Sequence, residues 1–180
     1  MIEKKTVLVL GAGASEPYGF PTGEKLLKDI VDIFKHRPLP PLHASLREFG
    51  FEDDFIRDFV KELNGSGRHS VDAFLEDRKD FERIGKAAMI AALVPKEDPL
   101  TILDHSKNEH WYKYLFKQMG PSLDDIAKSK LSVITFNYDR SLEFFLFNAL
   151  QSSFKLEAQY CFIHLENFPL FTFMVNSESC

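Results

Sequence analysis

The chain is poor in cysteine, in basic residues and in long apolar runs. Only Cys161 and Cys180 are cysteines among 180 residues, which excludes a four-cysteine zinc site and does not suggest a disulfide scaffold. Acidic residues outnumber basic residues by 27 to 22, and the net charge of -5 argues against the clustered Lys and Arg that bind nucleic-acid backbones. No apolar stretch approaches the roughly 18 residues that a membrane span requires. We therefore expect no metal site, no direct nucleic-acid partner and no membrane span.

Length and composition indicate a folded domain. With 44% hydrophobic residues the chain can bury a core, and its length suits one domain or one domain with a helical insertion. The first residues, Met-Ile-Glu-Lys-Lys-Thr-Val, lack the apolar centre of a signal peptide. A cytoplasmic location is expected.

A glycine-rich turn follows the first apolar run. Residues 7–10 read Val-Leu-Val-Leu, which suits a buried strand, and Gly11-Ala12-Gly13-Ala14-Ser15 comes directly after them. Glycine can adopt backbone angles closed to other residues and puts no side chain between the main chain and a ligand, so amide groups can face a pyrophosphate. In the usual Gly-x-Gly-x-x-Gly spacing the third glycine falls on Glu16, and a plain tight turn is the alternative interpretation.

Helical periodicity dominates the middle of the chain, and strand character returns late. Thr22 is a candidate N-cap, and amphipathic runs predict helices that follow Thr22 and that cover about 51–63, 70–76, 81–93 and 111–119. The apolar run 131–136 is typical of a central parallel strand, and Asn137-Tyr138-Asp139 follows it before another helical run. Ligands of open α/β sheets bind beyond the carboxyl ends of strands, so the glycine turn and Asn137 are expected to line one crevice. The pattern predicts an α/β fold with a Rossmann-like, mainly parallel sheet and an inserted helical portion.

These motifs together resemble the sirtuin-like family, and in particular its bacterial domains that hydrolyse NAD in phage defence. The resemblance rests on Gly11-Ala12-Gly13-Ala14-Ser15, on Gly19-Phe20-Pro21 where sirtuins have Gly-Ile-Pro, on residues 70–76, and on Thr135-Phe136-Asn137-Tyr138-Asp139. It covers about residues 5–150. The missing four-cysteine zinc module disfavours peptide deacylation and is compatible with the zinc-free defence domains.

The resemblance implies that the glycine turn and Ser15 hold NAD and that Asn137 lies near the ribose beside the nicotinamide bond. Cleavage of that bond develops positive charge on the ribose, which an amide that positions water and a nearby carboxylate would assist. The candidate cofactor-binding residues are Gly11, Ala12, Gly13, Ala14, Ser15, Thr22, Asn137 and Asp139. The candidate catalytic residues are Asn137, Asp139 and His164, the last as general base.

Each polar candidate also has a structural interpretation. Asp139 is a plausible cap for the helix that begins near Ser141, and Asp72 is better explained as an acid in the first turn of a helix. The family's histidine precedes a glycine, whereas His164 stands in the apolar stretch Phe-Ile-His-Leu-Glu, where a buried structural histidine is the alternative. If no base is present, the chain is a non-catalytic nucleotide sensor or scaffold that assembles with an effector.

The expected domain limits follow from the part of the chain that the resemblance covers and from the different composition of the tail. Residues 1–153 are predicted to form the NAD-binding domain with a helical insertion at about 42–128, followed by an atypical apolar tail at 154–180 without a clear final helix. Phe162, Phe168, Phe171 and Phe173 in that tail favour association, either as a homo-oligomer or with a partner effector subunit. An unregulated NAD hydrolase would deplete its host, so a low basal rate and an activating partner are expected.

Overall fold

The computed structural model describes residues 1–36, 39–104, 110–166 and 170–172. The chain is mostly helical and contains a small parallel sheet, as the expected α/β class requires. The strands are β1 (Thr6–Leu10), β2 (Leu131–Thr135) and β3 (Leu170–Thr172). The helices are α1 (Gly23–Val31), α2 (Pro41–Glu48), α3 (Asp53–Gly65), α4 (Val71–Asp77), α5 (Glu82–Leu93), α6 (Pro99–Ile102), α7 (Trp111–Met119), α8 (Leu123–Lys128), α9 (Ser141–Phe154) and α10 (Ala158–Glu166).

The chain divides into two compact units. The first, here called the sheet unit, combines Met1–Gly19 with the described part of Asp98–Ser179, and the second, the helical unit, covers Phe20–Glu97. The sequence predicted a helical insertion at about 42–128, so the compact helical unit begins and ends earlier than that range. Helix α1 belongs with it because its buried face, including Leu26 and Ile30, is part of one apolar core shared by α1 to α5.

All described strand pairs are parallel, in the order β1-β2-β3. β1 and β2 are paired along their full lengths, from Thr6 opposite Leu131 to Leu10 opposite Thr135. Leu131 and Val133 of β2 are fully buried, because alternate residues of a strand point to the same face of the sheet. Parallel pairing brings the carboxyl ends of β1 and β2 to one edge.

The expectation that β1 is a buried strand is wrong. Among the described strands β1 pairs with β2 alone, so it lies at an edge of the sheet. Val7 is 59% exposed and Val9 is 65% exposed, and both point to the same face. The four apolar residues at 7–10 resemble a strand buried on both faces, but in the described residues only one face of β1 is packed.

The predicted helices are confirmed, and among the described residues four further helices, α2, α6, α8 and α10, were not anticipated. The Thr22 side chain accepts a hydrogen bond from Lys25 N at 3.4 Å, so Thr22 caps α1 as expected. Helix α2 begins at Pro41, and proline is compatible with this first position of a helix. Short helix α8 was not predicted either.

The tail is more regular than expected. Residues 158–166 form α10, so the prediction that no final helix follows residue 154 is wrong. Helix α10 was not recognised in the sequence because its apolar residues occur on all sides of the helix and give only a weak amphipathic pattern. Phe162 is 57% exposed, whereas Phe168 and Phe173 lie outside the described residues. Only the backbone of Phe171 is described, and it is paired with Ile134 in the sheet.

Within the described part of the chain, no helix has both the length and the apolar character that crossing a bilayer demands. The same residues contain no group of three or more His, Cys, Asp or Glu side chains arranged to hold a metal ion.

Candidate functional site

The glycine turn and the Asn137 segment leave adjacent parallel strands at the same edge of the sheet. Leu10 and Thr135 are register partners, and Phe136 N donates to Leu10 O at 3.0 Å just beyond them. The Asn137 side chain then reaches back to the turn, where its Nδ2 donates to Ser15 Oγ at 2.9 Å. The two segments, 122 positions apart in the chain, are therefore in direct contact, as the expected shared crevice requires.

The glycine turn is a short 3-10 helix, Ala12–Tyr18, that follows Gly11. Gly11 has φ of -118° and ψ of 178°, which any residue adopts, and Gly13 is not among the glycines with positive φ. The expectation that these two glycines are needed for unusual backbone angles is therefore wrong. Both glycines are exposed, and a Cβ added to either would meet no atom of the described residues within 4 Å, its chain neighbours aside.

Trp111, the first residue of α7, forms a hydrogen bond to the glycine turn. Its indole Nε1 donates to Ala14 O at 2.8 Å, while Ala14 N donates to Gly11 O at 2.8 Å. Both polar backbone groups of Ala14 are thus engaged within the protein. The backbone of Ala14 therefore shapes the turn, and any main-chain contact to a ligand has to come from its neighbours.

A buried polar cluster lies beneath the turn, and it consists of Ser15, Tyr112, Asn137, Asp139 and Ser141. Tyr112 OH and Ser141 Oγ are 2.6 Å apart, and Ser141 Oγ lies 3.4 Å from Ser15 Oγ. Ser15, Tyr112 and Ser141 are each 1% exposed and Asn137 is 9% exposed. Burial is the main reason that the pKa of the Tyr112 phenol is raised well above its usual value, so this hydroxyl stays protonated.

The Asn137 carboxamide is only half satisfied within the described residues. Its Nδ2 is bonded to Ser15, whereas its Oδ1 is buried and has no hydrogen-bond partner in the described part of the chain. Buried polar atoms are nearly always paired in folded proteins, and exceptions often mark sites that bind water or a ligand. An unpartnered carbonyl oxygen at the carboxyl edge of a sheet is therefore the feature of this cluster that most directly indicates binding.

Asp139 has the capping role that the sequence left open as an alternative. Its Oδ1 accepts a hydrogen bond from Ser141 N at 3.1 Å and a second, short one from Ser141 Oγ. The bond from Ser141 N stabilises the first turn of α9, whose N-cap position is Arg140, because the first amide groups of a helix lack partners within it. One carboxylate oxygen of Asp139 is therefore occupied by the protein itself.

A small cavity of about 10 Å³ lies within the cluster. A space of this size is at the lower limit for one water molecule. Its lining residues are Leu10, Ser15, Tyr112, Thr135, Asn137, Asp139, Ser141, Leu142 and Glu143. The Glu143 side chain is only 15% exposed, and its nearest cation, Arg140 Nε, is 3.7 Å from Oε1. Burial, with a smaller effect from the Asp139 charge, raises the pKa of the Glu143 carboxyl above its usual value.

Two of the predicted site residues are not among the lining residues of this cavity. His164, on α10, lines a different small cavity whose other lining residues are apolar: Phe116, Met119, Ile126, Leu146, Leu150 and Leu165. Thr22 belongs to the helical unit, where its hydroxyl caps α1. Asp72 stands in the first turn of α4, in agreement with its structural interpretation.

Sequence reasoning missed Trp111, Tyr112, Ser141 and Glu143 as members of the site. Trp111 and Tyr112 were assigned only to a helix, and nothing in the sequence links that helix to the turn. Glu143 did carry a signal, since it is a single acid among Leu142, Phe144 and Phe145, and a charged residue on an apolar helix is seldom buried without a reason.

Comparisons of the chain with protein-family models, with curated proteins and with solved structures gave no match.

Proposed function

We propose that the chain binds NAD at the carboxyl edge of its parallel sheet and hydrolyses it to nicotinamide and ADP-ribose, as a Rossmann-like domain related to the sirtuin-like NAD hydrolases of antiviral defence. The observation that carries this proposal is the 2.9 Å hydrogen bond from Asn137 Nδ2 to Ser15 Oγ, because it joins the glycine turn to the carboxamide. Beyond it, the proposal depends on the order of the motifs along the chain and on the open space around Gly11 and Gly13.

Gly11 and Gly13 are suited to the pyrophosphate of NAD. Both are exposed, they follow β1 directly, and open space surrounds the positions where a Cβ would stand in other residues. A phosphate group could therefore approach the main chain without a side chain in the way. The adenosine and nicotinamide halves would then extend along the edge from this point.

The reaction requires a water molecule and a favourable electrostatic environment. As the bond between ribose C1′ and the nicotinamide nitrogen breaks, its electron pair leaves with nicotinamide and positive charge develops on the ribose. Water forms the new C1′–O bond and loses one proton. A buried carboxamide whose oxygen has no partner among the described residues can orient that water, and the nearby carboxyl groups favour the developing positive charge.

Burial of the site supports the expected low basal rate. Ser15 is 1% exposed and Asn137 is 9% exposed, and the cavity between the lining residues is too small for a ribose ring. The turn must therefore move before the nicotinamide ribose can reach Asn137. Assembly with another copy or with an effector subunit is the expected trigger, since such an event could stabilise the open form.

NAD binding and NAD cleavage can be measured separately. Trp111 is the single tryptophan of the chain and is bonded to the turn, so its fluorescence should change when NAD binds. We expect wild type to bind NAD and release nicotinamide, and Asn137→Ala to lose release. The matched control is Asn148→Ala on α9, where the side chain donates to Phe144 O at 2.7 Å and does not line the site cavity. Equal release by wild type and Asn137→Ala would contradict the proposal.

A non-catalytic nucleotide sensor is the second candidate. It is favoured by the positions of two predicted catalytic residues, because Asp139 is engaged by Ser141 and His164 lines another cavity. A sensor would quench or enhance Trp111 fluorescence on addition of NAD and release no nicotinamide under any condition. Release that requires Asn137 would exclude it.

A further inference from the structure

The proposed hydrolysis requires a group that accepts a proton from water, and the sequence suggested Asp139 and His164 for this role. Asp139 accepts two hydrogen bonds from Ser141 through one oxygen, and His164 lines an apolar cavity on another helix. Glu143 is the remaining acid among the residues that line the site cavity.

We propose that Glu143 is the general base of the site and that the cavity it shares with Asn137 holds the attacking water. This inference rests on the proposed function. The cavity volume of about 10 Å³ is at the lower limit for a single water molecule. Asn137 is one of its lining residues, and the buried Asn137 Oδ1 has no hydrogen-bond partner among the described residues. A water there would donate one hydrogen to Asn137 Oδ1 and the other to the Glu143 carboxylate.

The surroundings of Glu143 suit this task better than those of Asp139. The Glu143 side chain is 15% exposed, and the single ion pair described for it is the long contact to Arg140, a residue whose own side chain is 79% exposed. A weakly paired, buried carboxyl holds its proton to higher pH than an exposed one, and a base is most effective when its pKa lies near the working pH. Asp139, in contrast, already accepts two hydrogen bonds from Ser141, through one of its oxygens.

The step balances without a further reactant. Water oxygen bonds to ribose C1′ while the bond from C1′ to the nicotinamide nitrogen breaks, and that electron pair leaves with neutral nicotinamide. Glu143 takes the proton that the water loses and afterwards returns it to solvent. Asn137 orients the water and is otherwise unchanged.

The test separates the loss of a base from the loss of the site. Glu143→Gln has nearly the same shape, so NAD affinity measured by Trp111 fluorescence should stay within about twofold of wild type, while nicotinamide release should fall by about 100-fold or more. Glu157→Gln, which changes an exposed acid between α9 and α10, is the matched control and should release nicotinamide at the wild-type rate.

Chemical rescue with azide distinguishes a general base from a residue that only stabilises the structure, because azide would not restore activity lost through misfolding. In Glu143→Ala, sodium azide can attack C1′ directly and needs no proton acceptor, so nicotinamide release should recover and an azido product should form. Glu143→Asp keeps the carboxylate and should release nicotinamide faster than Glu143→Gln, which preserves the test if the glutamine variant folds poorly.

The outcomes distinguish this inference from the proposed function. Release by Glu143→Gln at the wild-type rate, or no recovery of Glu143→Ala with azide, would overturn the role of Glu143 and leave NAD hydrolysis standing. Wild-type protein that binds NAD but never releases nicotinamide, or that does not bind it, would overturn both.

Discussion

The hydrogen bond between Tyr112 OH and Ser141 Oγ offers the most direct measure of how much the buried cluster stabilises the sheet unit. The bond is 2.6 Å long, and both residues are 1% exposed. Tyr112→Phe removes the hydroxyl alone and keeps the ring, which is stacked on Tyr18 with centroids 3.8 Å apart. Ser141 Oγ retains Asp139 as a partner, so the substitution leaves no orphaned hydroxyl on Ser141.

The Tyr112 hydroxyl also interacts with Ser15, whose Oγ keeps Asn137 Nδ2 as a partner, so the expected cost is at least that of one net hydrogen bond. We expect Tyr112→Phe to lower the free energy of unfolding by about 1 kcal/mol, which corresponds to a fall in Tm of about 2–4 °C for a chain of this size. Thermal unfolding followed by Trp111 fluorescence is the assay, because that tryptophan lies in the sheet unit. The control is Tyr114→Phe on the same helix, where the side chain is 67% exposed and the expected change is below about 0.5 kcal/mol.

The pH dependence of the same variant follows from the direction of the pKa shift. Burial raises the pKa of Tyr112 above its ordinary value of 10 in the folded state, so the folded protein retains a proton that the unfolded chain has lost. Wild type therefore loses stability as the pH rises above about 10, and Tyr112→Phe does not share this loss. The difference in Tm between the two should shrink above pH 10. A Tm of Tyr112→Phe equal to that of Tyr114→Phe, or a difference that widens above pH 10, would refute the reasoning.

Further substitutions test the turn and two features outside the cluster. Gly11→Val should leave Tm nearly unchanged but weaken NAD binding at least tenfold. The control is Gly65→Val, which also has open space around its added Cβ among the described residues and should leave NAD binding intact. A lower Tm of Gly11→Val would contradict the open space around Gly11. Ser129→Ala removes a buried hydroxyl that has no hydrogen-bond partner in the described part of the chain, so the free energy of unfolding in urea should be unchanged or slightly higher. A decrease of more than about 1 kcal/mol would show that the Ser129 hydroxyl does form a stabilising hydrogen bond. Gly120→Ala should cost about 3 kcal/mol or more, measured in the same way, because Gly120 has φ of 126° and an added Cβ would overlap Asp125 Cβ; a change below about 1 kcal/mol would contradict this backbone conformation.

The local features of the site could be predicted from the sequence because they depend on short segments. A strand followed by glycines, a second apolar run followed by Asn137, and the rule that parallel strands end at one edge were sufficient to place the turn beside the carboxamide. Thr22 was recognised as a cap for the same reason, since capping depends on neighbouring residues. Asp139 was left with two roles, and its bonds to Ser141 support the capping role.

The remaining features depend on contacts between distant segments. Trp111 and Tyr112 reach the turn from a helix about 95 residues later, and no local pattern encodes the bonds they make to Ala14 and Tyr18. The exposure of β1 could not be read from its composition either, because a run of apolar residues does not tell which strands and helices cover it. His164 was chosen for its residue type alone, and residue type does not place a side chain in a cavity.

The central claim is that Gly11, Gly13 and Asn137 contact the same dinucleotide. A titration of isotopically labelled protein with ADP-ribose, followed by two-dimensional amide NMR, tests it most directly, since the product cannot be hydrolysed at the nicotinamide bond. The account predicts that the backbone amides of Gly11 and Gly13 and the side-chain NH₂ of Asn137 shift together with one dissociation constant. Unchanged signals from these three residues at saturating ADP-ribose, or shifts confined to the helical unit, would contradict it.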